Sequence, residues 1–124
     1  MAMEKFDDDA LEQVARYFAA LAVPMRLKIL NALRGGERNV GELTEQTGCT
    51  QANVSKHLAV LAQNGLVQKA ARGTSAYYSI ADPSTYELCD VVCGQIGRRY
   101  AGQATLHRMF STAPATKAKG KRQK

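Results

Sequence analysis

Residues 39–80 constrain this chain most, because two short helical patterns and a hairpin pattern follow one another there without a gap. Asn39 and Glu42 have the spacing of a capping box at the start of the first helix, and Gly48 suits its end. Thr50 is placed to cap a second helix directly after the turn. Two short helices joined by a glycine turn are typical of the helix-turn-helix, in which the second helix enters the major groove of DNA.

The second helix, predicted over residues 51–64, has one apolar and one polar face. Val54, Leu58 and Leu61 recur at helical spacing and form the apolar face. His57 lies beside this face and is predicted to be half-buried and hydrogen-bonded, with base reading as the alternative. The opposite face carries small or hydrogen-bonding side chains that can contact base edges and phosphates. We predict that these are the DNA-binding residues Gln51, Ala52, Asn53, Ser55 and Lys56.

The hairpin pattern that follows predicts a wing beside the two helices. Residues 66–71 and 76–80 are expected to be strands joined by a glycine-containing turn. Arg72, at the tip of the wing, can enter a minor groove or bind a phosphate, and an exposed turn arginine is the alternative. Tyr77 and Tyr78 point to opposite faces of their strand, so we expect one in the core and one on the surface.

Two further helices are predicted before this stretch. The aspartates at residues 7–9 favour the N-terminus of the first, which extends to about Ala20. Pro24 suits the first turn of the second, and the glycine pair at residues 35–36 ends it. Their apolar residues are predicted to form core and scaffold, namely Leu11, Val14, Ala15, Phe18 and Leu21 in the first helix and Met25, Leu27, Ile29, Leu30 and Leu33 in the second.

A last helix is predicted from near Pro83, with Asp82 as its N-cap. Its apolar residues recur at steps of three and four, which is the spacing of a heptad seam. The pattern predicts a dimer interface. Packing against the helix's own domain is the alternative, and both can hold because the first helix can share the interface. The seam consists of Tyr86, Cys89, Cys93, Ile96 and Tyr100.

The composition of the whole chain limits the class of protein. With 124 residues, the chain is expected to form one domain over residues 1–110 and a disordered tail over residues 111–124. The last eight residues hold five of the 17 basic residues, so most of the net charge of +6 lies in that tail, which either binds DNA or only keeps the protein in solution.

No apolar run is long enough to cross a membrane, the acidic N-terminus is unlike a signal peptide, and three cysteines suit the cytoplasm. Without a phosphate loop, an HExxH motif or a nucleophile elbow, neither an enzyme nor a cofactor is predicted.

Four motifs, taken in order, resemble the winged-helix repressors of the ArsR/SmtB family. They are LAVPMRLKILNAL, GELTEQTG, QANVSKHLAVLAQNGLV and RGTSAYYSI, and the resemblance covers roughly residues 18–100. It implies a mostly α fold with a small β-hairpin wing and about five helices, paired into a homodimer through the terminal helices. It also implies a repressor of transcription that binds double-stranded DNA and is released by an inducer that the resemblance does not specify. The dimer predicted from the heptad seam in turn implies an inverted-repeat operator.

The metal sites of the family do not carry over to this chain. The arsenical and lead sensors of the family have a Cys-Val-Cys pair in the first helix of the helix-turn-helix. Its zinc sensors bind the metal through an Asp-x-His and a His-x-x-Glu motif on the last helix. An Arg in place of a cation ligand argues strongly against the zinc set. The residues at those positions are Asn39 and Gly41 for the thiolate pair, and Asp82, Ser84, Gln95 and Arg98 for zinc.

Cys89 and Cys93 are the remaining candidates for a sensor, because they lie four residues apart on one helical face. Two thiols at this spacing can bind a soft metal or an arsenical, or form redox-sensitive bonds. Since cysteine is among the most buried residue types, packing is the favoured interpretation, ahead of a thiol sensor and then a metal site. A non-specific architectural or interaction module of the same fold is the rival to a sequence-specific regulator.

Overall fold

A computed structural model of the chain describes residues 6–100, 102–103 and 108–110. The predicted tail, residues 111–124, lies outside the described residues. The chain divides into two compact units, Met1–Asp82 and Pro83–Lys124. The first unit contains the helices α1 (Asp8–Leu21), α2 (Pro24–Ala32), α3 (Val40–Thr47) and α4 (Gln51–Gln63), a 3₁₀ turn (Leu33–Gly35), and the strands β1 (Arg38–Asn39), β2 (Val67–Arg72) and β3 (Ser75–Ile80). The second contains α5 (Ser84–Arg99) and a helical turn at residues 108–110.

The predicted starts of α3 and α4 are confirmed by their capping hydrogen bonds. The backbone N–H of Glu42 donates to Asn39 Oδ1 at 2.8 Å, and that of Asn39 donates back to Glu42 Oε1 at 2.9 Å, which completes the capping box of α3. Thr50 Oγ1 accepts from the backbone N–H of Asn53 at 3.2 Å at the start of α4. Gly48, with φ of 73°, ends α3 in the left-handed conformation that glycine adopts without strain.

The core of the first unit lies where α2, α3 and α4 pack on one another and on the hairpin. The three apolar residues predicted for α4 are all fully buried, which fixes the opposite face of that helix toward solvent. Each such side chain contributes on the order of 1.5–3 kcal/mol to folding by leaving water. The largest fully buried side chains are Ile29, Leu43, Val54, Leu58, Leu61 and Leu66.

Four residues predicted for the core are instead exposed, namely Leu11, Ala15 and Phe18 on α1 and Leu27 on α2. Leu11 and Phe18 on α1 expose 41% and 48% of their surface, and Leu27 on α2 exposes 43%. The physical reason is that α1 buries only its C-terminal residues Ala20 and Leu21, so most of its apolar stripe is left uncovered within the described chain.

The sheet has three antiparallel strands in the order β1-β3-β2, one more than predicted. β1 pairs Arg38 with Tyr78 and Asn39 with Tyr77. A strand of two residues is too short to show any alternation, so the sequence gives no sign of it. The turn is also tighter than predicted, because Arg72 still pairs with Ser75 across the hairpin, and only Gly73 and Thr74 lie between them.

The prediction that Tyr77 and Tyr78 divide between core and surface is wrong, because both are half-buried. The guanidinium carbon of Arg72 lies 5.4 Å from the ring centre of Tyr77, and Nζ of Lys69 lies 6.0 Å from that of Tyr78. Long basic side chains from β2 therefore cover both faces of β3, so neither ring is fully exposed.

In the second unit, α5 begins after Pro83, which takes the N-cap position predicted for Asp82. All five predicted seam residues are half-buried, whereas Val91 and Val92 expose 65% and 42% of their surface. The ring of Tyr100, the last of the seam, stacks on that of Phe110 with the ring centres 6.5 Å apart. Among the helices of the described ranges, none has the length and apolar character to cross a membrane.

Candidate nucleic-acid interface

The polar face of α4 forms one continuous exposed surface, as predicted. Val54, Leu58 and Leu61 hold the helix against the core, and Thr50 caps its N-terminus. Burial of those three side chains leaves the first two turns presented to solvent. The exposed residues on this surface are Gln51, Ala52, Asn53, Ser55 and Lys56. Their amide, hydroxyl and ammonium groups can donate to base edges and phosphates, and the amide and hydroxyl oxygens can also accept.

His57 is half-buried and hydrogen-bonded, as predicted, and its partner is Arg26 at the start of α2. Arg26 Nε donates to His57 Nδ1 at 3.2 Å, and Arg26 Nη1 donates to the backbone oxygen of Ala20 at 3.2 Å. Burial of the imidazole lowers the pKa of His57, and the charges of Arg26 and Lys56 lower it further. The ring therefore accepts at Nδ1 as a neutral imidazole and adds no positive charge to the α4 surface.

Arg72 lies at the end of β2, on the wing, where its side chain is 58% exposed. It forms an ion pair from Nη1 to Oε1 of Glu37 while its guanidinium covers the ring of Tyr77. Asn39 Nδ2 donates to the Tyr77 hydroxyl at 3.5 Å, so the residue that caps α3 also contacts the wing. The wing and the start of the helix-turn-helix are thus in direct side-chain contact.

Sequence reasoning missed three of these residues: Arg26, Glu37 and Tyr77 as a ring that supports Arg72. Their partners lie 31 or 35 residues away for the first two, and no local spacing announces such pairs. From the sequence alone, Arg26 in α2 and Glu37 before β1 cannot be distinguished from ordinary charged surface residues. Only the pairing of β1 with β3, which the sequence does not reveal, brings Glu37 toward the hairpin.

The cysteines show no arrangement of metal ligands in the described part of the chain. Within it, no three residues among histidine, cysteine, aspartate and glutamate gather closely enough to hold a metal ion. Cys89 and Cys93 are both half-buried on α5. Cys49, in the turn between α3 and α4, packs its sulfur 3.0 Å from that of Met25.

An exposed and capped second helix, a preceding helix that packs on it, and a hairpin beside them define a winged helix-turn-helix protein of the kind that regulates transcription. The family described as "Bacterial regulatory protein, arsR family" matches residues 24–69. The chain belongs to this family and is a transcriptional regulator.

Individual relatives agree with this assignment. The HTH-type transcriptional regulator NmtR of Mycobacterium tuberculosis is 43% identical over 84 residues, which cover 68% of this chain and 70% of that protein. A probable mercury resistance operon repressor of Streptomyces lividans is 40% identical, and the match spans 62% of each chain. The homodimeric winged helix-turn-helix DNA-binding domain of Mb0332 from Mycobacterium bovis, a possible ArsR-family transcriptional regulator, matches with a TM-score of 0.66 and 34% identity. That structural match covers 82% of this chain and 95% of the domain.

Proposed function

We propose that this regulator is a homodimeric repressor that binds an inverted-repeat operator in double-stranded DNA and leaves it when an inducer acts. Residues 1–110 would supply both DNA binding and dimerisation, and the site of action would be the cytoplasm, where that DNA lies. The observation that carries the proposal is the exposed polar surface at the capped N-terminus of α4. The work of this surface is binding rather than catalysis.

In the proposed complex, the N-terminal turns of α4 enter the major groove. Gln51 pairs its amide with the donor and acceptor of an adenine, and Ser55 contacts either kind of base edge. Asn53 and Lys56 reach bases or phosphates, and Ala52 lets the backbone approach or touches a thymine methyl group. His57 accepts from Arg26 at Nδ1, so its other nitrogen carries the hydrogen and donates to a phosphate or a base.

The proposed dimer pairs the α5 seams of two copies. Support comes from the heptad spacing of the half-buried seam and from the homodimeric state of the Mb0332 domain. The exposed stripe of α1, including Leu11 and Phe18, supplies further apolar surface that a second copy can cover. A two-fold dimer reads two copies of one sequence in opposite directions, which is why an inverted repeat is the expected operator.

A competition binding assay tests the proposed function. Purified protein is bound to a labelled fragment of its own promoter region and challenged with random DNA of equal length. A repressor should prefer the promoter by at least about a thousandfold. The rival function, a non-specific architectural module, predicts that random DNA competes as well as the promoter does.

For the wing, we expect Arg72→Ala to lower affinity for every DNA sequence and to make the salt dependence of binding shallower by roughly one unit. The reason is that an arginine on phosphate or in a minor groove adds charge contact without reading the major groove. Filter binding over a series of salt concentrations measures the slope. Lys28→Ala, which removes one positive charge from the exposed surface of α2, is the matched control. An unchanged slope for Arg72→Ala would show that the wing does not contact DNA.

For the sensor, we expect Cys89 and Cys93 to serve packing, so that replacing both by serine lowers the melting temperature. A hydroxyl group in the half-buried seam substitutes a strongly polar group for a soft apolar one. Zinc, arsenite, peroxide and persulfide should leave operator binding unchanged in both the native protein and the double variant. Release of the native protein from DNA by any of these agents, lost in the double variant, would make the cysteine pair the inducer site.

A further inference from the structure

Arg72 on the wing forms an ion pair with Glu37, which lies at the opposite edge of the sheet. Because β3 lies between β1 and β2, the side chain of Arg72 must cross β3 to meet Glu37, the residue before β1. The strand pairing sets Asn39 opposite Tyr77 and Arg72 opposite Ser75, so Arg72, Tyr77 and Asn39 share one face of the sheet.

Two contacts hold the guanidinium in this position. Its Nη1 donates to Oε1 of Glu37, and its carbon lies 5.4 Å from the ring centre of Tyr77. The Tyr77 hydroxyl in turn accepts from Asn39 Nδ2, which fixes the ring. The arginine is therefore folded back along the sheet rather than extended from the hairpin.

The ion pair between Arg72 and Glu37 is too exposed to contribute much to the free energy of folding. The side chains of Arg72 and Glu37 are 58% and 33% exposed, and pairs at such positions contribute little to folding. The same guanidinium is the group that the proposed function assigns to DNA. A phosphate that binds the same edge of the guanidinium must displace the carboxylate, since one guanidinium edge cannot serve both anions.

We propose that Glu37 is a built-in competitor of DNA for Arg72, which lowers the affinity of the wing for any sequence until a phosphate displaces it. This inference rests on the proposed wing contact with DNA. The carboxylate of Glu37 takes the place of a phosphate, and in the DNA-free protein the guanidinium of Arg72 lies over the ring of Tyr77. Glu37 is thus a residue that tunes affinity without reading bases.

The test is a double-mutant cycle measured on operator and on random DNA. Glu37→Gln should raise affinity for both by about two- to fivefold, the range expected from losing one exposed ion pair. In the Arg72→Ala background the same substitution should have no more effect than its control. The control is Glu45→Gln, which removes one exposed carboxylate from α3. Glu37→Ala serves as the second variant, and thermal unfolding shows that each protein is folded.

A measurement on the free protein separates this proposal from the proposed function. Relaxation of the Arg72 Nε–H group in NMR should show a restrained side chain in the native protein and a mobile one in Glu37→Gln. If Arg72→Ala weakens DNA binding while Glu37→Gln equals its control, Glu37 does not compete and the proposal is overturned. If Arg72→Ala has no effect on any DNA, the wing contact itself fails, and promoter preference through α4 still reports on the proposed function.

Discussion

Replacing Ile96 by Asp is expected to dissociate the dimer and to abolish operator binding. Ile96 lies in the half-buried seam of α5, and a carboxylate there loses water without gaining a partner. The cost is several kcal/mol for each unpaired ion, and the two-fold axis places one in each subunit of the same interface. We therefore expect the dimer dissociation constant to rise by about a thousandfold or more, since about 1.4 kcal/mol corresponds to a factor of ten.

Sedimentation velocity over a range of protein concentrations measures this change. Val91→Asp is the matched control, because Val91 lies on the same helix, outside the seam, and is 65% exposed. It should remain dimeric and bind the operator. Operator binding should fall together with dimerisation, because a monomer contacts only one half-site of the repeat. A fully dimeric Ile96→Asp protein would rule out α5 as the dominant interface.

Replacing Gln51 or Ser55 by Ala is expected to weaken operator binding by about 1–3 kcal/mol while leaving binding to random DNA unchanged. Both residues lie exposed in the first two turns of α4, where a groove-binding helix meets base edges. The loss of a hydrogen-bond pair to a base is felt only where the correct base is present.

Gln63→Ala is the matched control for Gln51→Ala, because Gln63 is the same residue type, also exposed, at the C-terminal end of the same helix. Titration of each variant against operator and random DNA gives the specificity ratio. Equal losses on both DNAs would mean that Gln51 and Ser55 only position the protein on the phosphate backbone.

The parts of this fold that were predictable from sequence are those determined by near neighbours. The caps at Asn39 and Thr50 depend on residues three positions away, and the turn at Gly48 depends on the conformational freedom of one residue. The exposed surface of α4 was predictable for the same reason, because burial of Val54, Leu58 and Leu61 at helical spacing leaves the rest outward.

The parts that were not predictable depend on which elements meet. An apolar residue on α1 has the same helical spacing whether its own chain or a second copy covers it, so Phe18 was placed in the core and lies exposed. The ion pair of Arg72 with Glu37 joins residues 35 positions apart through a strand of two residues. Tyr77 and Tyr78 were separated by strand alternation alone, whereas side chains of neighbouring strands cover both.

Asn39 ends β1, caps α3 and donates to Tyr77 in β3. Asn39 therefore joins the hairpin directly to the start of the helix pair, and this contact favours movement of the two as one body. In the proposed complex, α4 enters a groove and the wing meets the phosphate backbone. The contact through Asn39 constrains the length of duplex between these two points. Where a duplex differs from that length, it is the duplex that must bend or twist, and the stiffness of its base steps then enters the choice of operator.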